Sequence, residues 1–249
     1  MTTNFVTFYL IIVLITGPFF QFLPMPPESL LWDEILLAKI LNQAPTIFLL
    51  GYLLFQVKKV KQYGIFMLLM AFLTSCIISE IYYYFVSPET LLYFSVGHNL
   101  LTYLILILLL LKVISFKETK DAVILPATIV SIFIALGFSF SAFSIYQEYF
   151  FSQPIIFLML ISFIISATLI VFLSFFTEKP FQRNWYEIVI GLFLLVLVDI
   201  YTYSCFFVFN APPTLLYTIG KILFSAGILL LVDGILRKKI KENSLLHAL

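Results

Sequence analysis

The chain has 249 residues, of which 62% are hydrophobic and only 11% are charged, and its mean hydropathy is +1.10. A soluble domain is about half apolar and about a quarter charged, so this composition excludes a soluble globular protein and a disordered tail. The net charge of +1 argues against a nucleic-acid partner. We therefore expect a polytopic membrane protein in which residues 1–249 form a single transmembrane domain.

Apolar runs of about 20 residues, the length that crosses a bilayer as a helix, recur eight times along the chain. Charged residues, prolines and glycines separate them, which predicts spans at roughly 4–23, 35–56, 63–86, 91–112, 122–142, 153–176, 185–209 and 214–236. The runs are about twice as long as barrel strands and do not alternate as strands do. The predicted fold is therefore an all-α bundle of eight transmembrane helices.

Twelve of the 14 basic residues fall in alternate loops or after the last span, and the opposite loops carry acidic residues only. These twelve are Lys58, Lys59, Lys61, Lys112, Lys117, Lys120, Lys179, Arg183, Arg237, Lys238, Lys239 and Lys241. Because basic residues concentrate on the cytoplasmic side, both termini are predicted to be cytoplasmic, in a bacterial inner membrane. Glu187 and Asp233 lie beside basic residues on that side and are interpreted as ordinary interfacial charges.

Five ionisable residues lie inside the predicted spans, where each charge costs roughly 2.5–3.5 kcal/mol. They are Lys39, Glu80, His98, Asp199 and Lys221. Counted from the predicted helix ends at about 1.5 Å per residue, all five lie in the outer half of the bilayer. Uncharged polar residues accompany them at helical spacing, namely Asn42, Gln43, Asn99 and Tyr217. We therefore predict one buried polar cluster.

Short motifs around these residues resemble the lysoplasmalogenase-like membrane family, known as the YhhN family, whose members have eight helices. The motifs are Lys39-Ile40-Leu41, Ser79-Glu80, Gly97-His98, Val198-Asp199 and Tyr217-Thr218-Ile219-Gly220-Lys221. They run from the second span to the last. The chain departs from the family pattern at four positions: Ile40 stands in place of a proline, Glu80 of an aspartate, Leu101 of a tyrosine and Lys221 of a glutamine or histidine.

The resemblance implies a membrane hydrolase that cleaves the vinyl-ether bond of lysoplasmalogens and releases an aldehyde. That chemistry needs one acid that holds a proton and one that stays ionised. Glu80 and Asp199 are the candidate catalytic pair, with His98 as a proton relay. The candidate substrate-binding residues are Lys39, Lys221, Asn42, Gln43, Asn99 and Tyr217. The expected partner is a membrane lipid or another single-chain amphiphile, without a cofactor.

Other interpretations of the cluster stay open, so the sequence does not decide whether the chain is an enzyme. Buried ion pairs can act only to fix helix register. A non-enzymatic binding or sensory module would use the same polar pocket, and a transporter would use intramembrane carboxylates. A retinal-binding protein would use Lys221 as a Schiff base, although Tyr217 occupies the position where such proteins carry an acid or serine. A metal site is weakly supported, because one histidine and two separated carboxylates lack the usual zinc ligands.

Overall fold

The computed structural model describes residues 1, 3–22, 41, 43–56, 63–81, 88–114, 120–149, 154–177, 180, 182–207 and 213–246. These residues form eight α-helices, and no β-strand occurs among them. The helices are α1 (Thr3–Phe22), α2 (Ala44–Gln56), α3 (Tyr63–Ile81), α4 (Pro88–Val113), α5 (Lys120–Tyr149), α6 (Pro154–Ser174), α7 (Arg183–Phe207) and α8 (Pro213–Leu246). The prediction of an all-α fold is confirmed for this part of the chain.

Five of the helices contain segments that are long and apolar enough to cross a membrane. The segments are Tyr93–Val113, Ala122–Phe140, Phe157–Ser174, Arg183–Thr202 and Thr218–Arg237, in α4 to α8. Shorter apolar segments lie in α1, α2 and α3, at Thr3–Thr16, Ala44–Gln56 and Tyr63–Ser79. Large apolar side chains such as Phe55 and Phe133 are exposed on the bundle surface. The structure is compatible with an integral membrane protein, and the number of spans stays a prediction.

The helix ends show where local sequence sets a boundary. Three helices begin at a proline, at Pro88, Pro154 and Pro213, because the first turn of a helix leaves its N–H groups unpaired and a missing N–H costs nothing there. α5 runs to Tyr149 and α8 to Leu246, beyond the ends of the predicted spans. The predicted spans end where the apolar run ends, whereas the helices continue into more polar sequence. Residues 35–40 of the predicted second span lie outside the described residues.

The helices pack in a closed ring. α1 contacts α2, α2 contacts α3, α3 contacts α4, α4 contacts α6, α6 contacts α7, α7 contacts α8, and α8 returns to α1. α5 packs against α6 and α7, and α2 also contacts α8. Buried leucines fill the interior, including Leu69 and Leu73 of α3 and Leu106 and Leu110 of α4. The most extensive of these contacts joins α7 and α8.

Glycines bring the backbones of α7 and α8 together. A Cβ atom at Gly191 would lie 2.7 Å from the backbone N of Leu231 and 2.8 Å from the carbonyl O of Gly227. A Cβ atom at Gly234 would lie 3.1 Å from the carbonyl O of Asn184. Small residues at a helix interface allow this approach, so the side chains that α7 and α8 carry are held at a fixed separation.

Candidate functional site

The imidazole of His98 is tied to the neighbouring helix α3. Its Nε2 lies 2.9 Å from the carbonyl O of Ser75 and 3.1 Å from the Ser75 hydroxyl. A carbonyl oxygen only accepts, so Nε2 carries a hydrogen and donates it to Ser75. The structure therefore fixes the orientation of the His98 ring against α3 through Nε2.

Hydroxyl groups complete a closed circuit of hydrogen bonds around His98. The Thr102 hydroxyl donates to the carbonyl O of His98 at 3.0 Å. Because that hydrogen is used, the Ser75 hydroxyl donates to Thr102 Oγ1 at 2.6 Å. His98 donates in turn to Ser75. The circuit fixes the orientation of the ring, and it joins α3 to α4 through the Ser75 hydroxyl and the Ser75 carbonyl O.

Asp199 of α7 accepts a hydrogen bond from the Tyr103 hydroxyl of α4, at Oδ2. The phenol is itself held firmly: the Tyr103 ring is buried and stacks on Phe163 of α6, with centroids 4.8 Å apart and planes at 3°. Phe138 of α5 meets Phe163 edge-on at 5.1 Å. One oxygen of the predicted acid is thus oriented by a rigid aromatic stack between apolar helices.

Lys221 of α8 is buried, with 9% of its surface exposed. One turn along the same helix, the carbonyl O of Ser225 accepts a hydrogen bond of 2.8 Å from the buried Tyr9 hydroxyl of α1. Gln43, before the first turn of α2, is 4% exposed. Its Oε1 accepts no hydrogen bond from the residues that the structure describes. Two of the predicted substrate-binding residues, Lys221 and Gln43, are therefore enclosed in the bundle.

α4 carries both His98 and Tyr103, the residue that contacts Asp199. His98 and Tyr103 are five residues apart on this helix, about 7.5 Å along its axis, so the His98 circuit and the Asp199 contact lie at neighbouring levels. Asn99 follows His98 on the same helix. The backbone of Glu80 lies on α3, five residues after Ser75.

The remaining predicted residues lie outside the described part of the chain. They are Lys39 and Asn42 and the side chains of Glu80 and Tyr217. The convergence of the five ionisable residues in one cavity therefore stays a prediction. Among the described residues, no three histidine, cysteine, aspartate or glutamate side chains lie close enough together to hold a metal ion.

Three hydroxyl residues contact the predicted cluster, and two of them have no distinguishing pattern in the sequence. Ser75, Thr102 and Tyr103 orient His98 and Asp199. Serine, threonine and tyrosine are common in this chain, which has 14 tyrosines, and apolar helices tolerate their hydroxyls. Thr102 lies at helical spacing from His98 and was visible in that way, whereas Ser75 and Tyr103 are identified only by helix packing.

A second charged cluster lies at the other end of α7 and α8. Glu187 and Asp233 are buried, which differs from their interpretation as ordinary interfacial charges. Asp233 contacts the amino group of Met1 at 2.5 Å and Arg237 at 2.7 Å. Glu187 contacts Arg183 at 2.8 Å and Arg237 at 3.6 Å. The basic neighbours compensate both acids, which is why the acids can be enclosed.

Comparison with family models, with curated proteins and with solved structures finds no match for this chain.

Proposed function

We propose that the chain crosses a bacterial inner membrane eight times, with both termini in the cytoplasm. The five long apolar helices and the restriction of twelve basic residues to alternate loops support this topology. Cysteines introduced at Ser87 and Ser141 should react with an impermeant thiol reagent from outside, and a cysteine at Thr119 should react only in opened vesicles. External labelling at Thr119 would contradict the proposed topology.

We further propose that the chain is a lipid-processing hydrolase of the lysoplasmalogenase-like type. The observation that carries this proposal is Asp199, a carboxylate between apolar helices whose oxygen is oriented by the Tyr103 hydroxyl. An ionisable residue at membrane depth is expensive to insert, and such residues usually belong to functional sites. The enclosed Lys221 and the oriented His98 add a cation and a base from α8 and α4.

The proposed reaction divides the work between two acids. Glu80 gives a proton to the outer carbon of the vinyl ether, which forms an oxocarbenium ion. Asp199 is assigned the role of the ionised acid that stabilises this cation, and the hydrogen bond from the Tyr103 hydroxyl orients its carboxylate. Water adds to the cationic carbon and loses a proton to His98. His98 then returns its proton to the ether oxygen while the hemiacetal hydroxyl gives its proton to the Glu80 carboxylate. The carbon–oxygen bond breaks and releases an aldehyde and the glycerophospho-headgroup, and both residues return to their starting states.

The proposed substrate is matched to the chemistry of the predicted residues. A lysoplasmalogen has one apolar chain and one phosphate, so Lys221 and Lys39 are proposed to bind the phosphate. Asn42, Gln43, Asn99 and Tyr217 are proposed to supply uncharged hydrogen bonds. The Gln43 Oε1, which is buried and accepts no hydrogen bond from the described residues, is suited to accept one from a substrate hydroxyl.

The test is aldehyde release from a lysoplasmalogen by the purified chain in nanodiscs, with thermal stability measured in parallel. Glu80→Gln and Asp199→Asn should each lower the rate about 10²–10⁴-fold, the usual loss for an acid–base group, with little change in stability. Glu118→Gln, in the loop between predicted spans four and five, is the matched control and should retain the full rate. Unchanged turnover in both carboxylate variants would remove them from the mechanism.

Tyr103 is assigned as a positioning residue, and its variant tests the role given to Asp199. Tyr103→Phe removes the hydrogen bond and keeps the stacked ring. Because that bond orients the carboxylate, kcat should fall while KM keeps its value. A merely structural role for Tyr103 would lower stability and leave kcat of the folded protein unchanged. If the intact chain turns over no lysolipid and all variants lose stability, the cluster is a structural network of ion pairs.

A further inference from the structure

A groove runs between α7 and α8 at the end of the bundle that carries the second charged cluster. Its volume is about 400 Å³, and it is lined by Arg183, Tyr186, Glu187, Ile190 and Leu230. The other three α7 residues follow Arg183 by three, four and seven positions, so the four share one face of that helix. Their order along the helix places Arg183 at one end of the groove and Ile190 at the other.

The exposed charge at one end of the groove is positive. The side chain of Arg183 is 71% exposed, whereas that of Glu187 is 10% exposed. The Nε of Arg183 donates to Glu187 at 2.8 Å, which uses one of the five N–H groups of a guanidinium. Arg237 also lies 3.6 Å from Glu187, so two arginines compensate this acid and weaken its repulsion of an anion at Arg183.

The apolar end of the groove lies at the depth of lipid chains. Ile190 is seven residues from Arg183, about 10 Å further along the helix axis. The headgroup layer of one leaflet is roughly 5–8 Å deep, from a total thickness of about 40–45 Å and a core of about 30 Å. A molecule with its phosphate on Arg183 would thus reach hydrocarbon beside Ile190 and Leu230. Tyr186, which is 43% exposed, lies between, where interfacial tyrosines are common.

We propose that this groove binds one anionic phospholipid of the cytoplasmic leaflet. Its phosphate contacts the Arg183 guanidinium, Tyr186 lies beside the glycerol esters, and one acyl chain lies against Ile190 and Leu230. Basic pockets between helices on the cytoplasmic side are suited to such headgroups. A free phosphate would leave the apolar part of the groove uncovered. The proposal rests on the topology proposed above and is independent of the hydrolase activity.

The experiment measures lipid binding to the purified full chain by native mass spectrometry and by thermal unfolding in detergent. The probes are phosphatidylglycerol and phosphatidylcholine with identical chains, and inorganic phosphate. Phosphatidylglycerol should bind at one site at least about tenfold more tightly than phosphatidylcholine, because its headgroup has a net negative charge whereas the choline cation of phosphatidylcholine offsets the same phosphate. It should also raise the unfolding temperature. Inorganic phosphate should neither compete at equal concentration nor stabilise the chain.

Two variants and one control locate the lipid. Arg183→Gln should weaken phosphatidylglycerol binding about tenfold, and Ile190→Trp should block the groove while leaving every charge in place. Lys112→Gln removes one cation from the exposed last turn of α4, away from the groove, and should bind as the unmodified chain does. If Arg183→Gln fails to fold, Ile190→Trp still tests whether the lipid occupies the groove.

The proposal is overturned if phosphatidylcholine binds equally well, or if Lys112→Gln weakens binding as much as Arg183→Gln. It is also overturned if Ile190→Trp keeps full binding or if inorganic phosphate competes with the lipid. Because these measurements need no turnover, loss of the hydrolase proposal would leave them unaffected.

Discussion

Replacing Gly191 by alanine is expected to destabilise the protein, because the added methyl group would meet the backbone of α8. The new Cβ atom would lie 2.7 Å from the N of Leu231 and 2.8 Å from the O of Gly227. Both atoms belong to the backbone of a helix and cannot rotate away as a flexible side chain would. α7 and α8 would therefore have to separate by several tenths of an ångström along their most extensive contact.

The size of the effect follows from two opposing contributions. Overpacking costs about 1–3 kcal/mol, and contact with backbone on two sides puts Gly191→Ala near the upper end, at about 3 kcal/mol. Alanine is better than glycine inside a helix by about 1 kcal/mol, so the net loss is about 2 kcal/mol. At Gly51 of α2 a Cβ atom would have nothing within 4 Å. Gly51→Ala should therefore raise the free energy of unfolding by about 1 kcal/mol, the difference in helix propensity alone. The two variants should differ by about 3 kcal/mol.

The measurement is equilibrium unfolding of both variants in mixed detergent micelles, with helix content as the signal. Gly97→Ala provides a third point, because its Cβ atom would lie 3.3 Å from the flexible Cε of Met159, and its stability should fall between the other two. If Gly191→Ala and Gly51→Ala unfold with equal free energies, the close approach of α7 and α8 is not a feature of the protein.

Two further substitutions test contacts of α8. Asp233→Asn removes the carboxylate that pairs with the Met1 amino group and with Arg237. It should lower the free energy of unfolding by roughly 3 kcal/mol, the low end for a broken buried pair, because Arg237 is 30% exposed; an unchanged melting temperature would mean that the pairs contribute nothing. Tyr9→Phe removes the hydrogen bond to the Ser225 carbonyl and should cost about 1 kcal/mol. A loss several times larger would point to repacking.

The helical class could be predicted because apolarity over about 20 residues is a strong signal that packing does not change. The helix ends could not be predicted equally well. Hydropathy marks where a helix meets the apolar core of a membrane, whereas backbone hydrogen bonds decide where the helix stops. α8 continues past Arg237 through a basic and polar sequence to Leu246, which no hydropathy window includes.

The candidate site was predictable only in its rare residues. Asp199, His98 and Lys221 stand out because charged and titratable groups are exceptional in apolar segments. The residues that orient His98 and Asp199 are uncharged, namely Ser75 and Tyr103. Many other hydroxyl residues in the chain look the same in sequence, and only the packing of the helices shows which of them make these contacts. The close approach of α7 and α8 has a pattern in the sequence. Gly220, Gly227 and Gly234 recur every seven residues, which places them on one face of a helix.

α8 connects the candidate site to the second charged cluster. Lys221 lies one turn from Ser225, which accepts the hydrogen bond from α1, and Asp233 lies further along the same helix. Asp199 is carried by α7, whose backbone touches that of α8 at Gly191. The separation of Asp199 and Lys221 is therefore set by the close approach of the α7 and α8 backbones at Gly191. Backbone atoms in a helix move less easily than flexible side chains. Catalytic groups hold their geometry best on such rigid elements. A reaction that depends on a fixed charge beside a short-lived cation would benefit most from this arrangement.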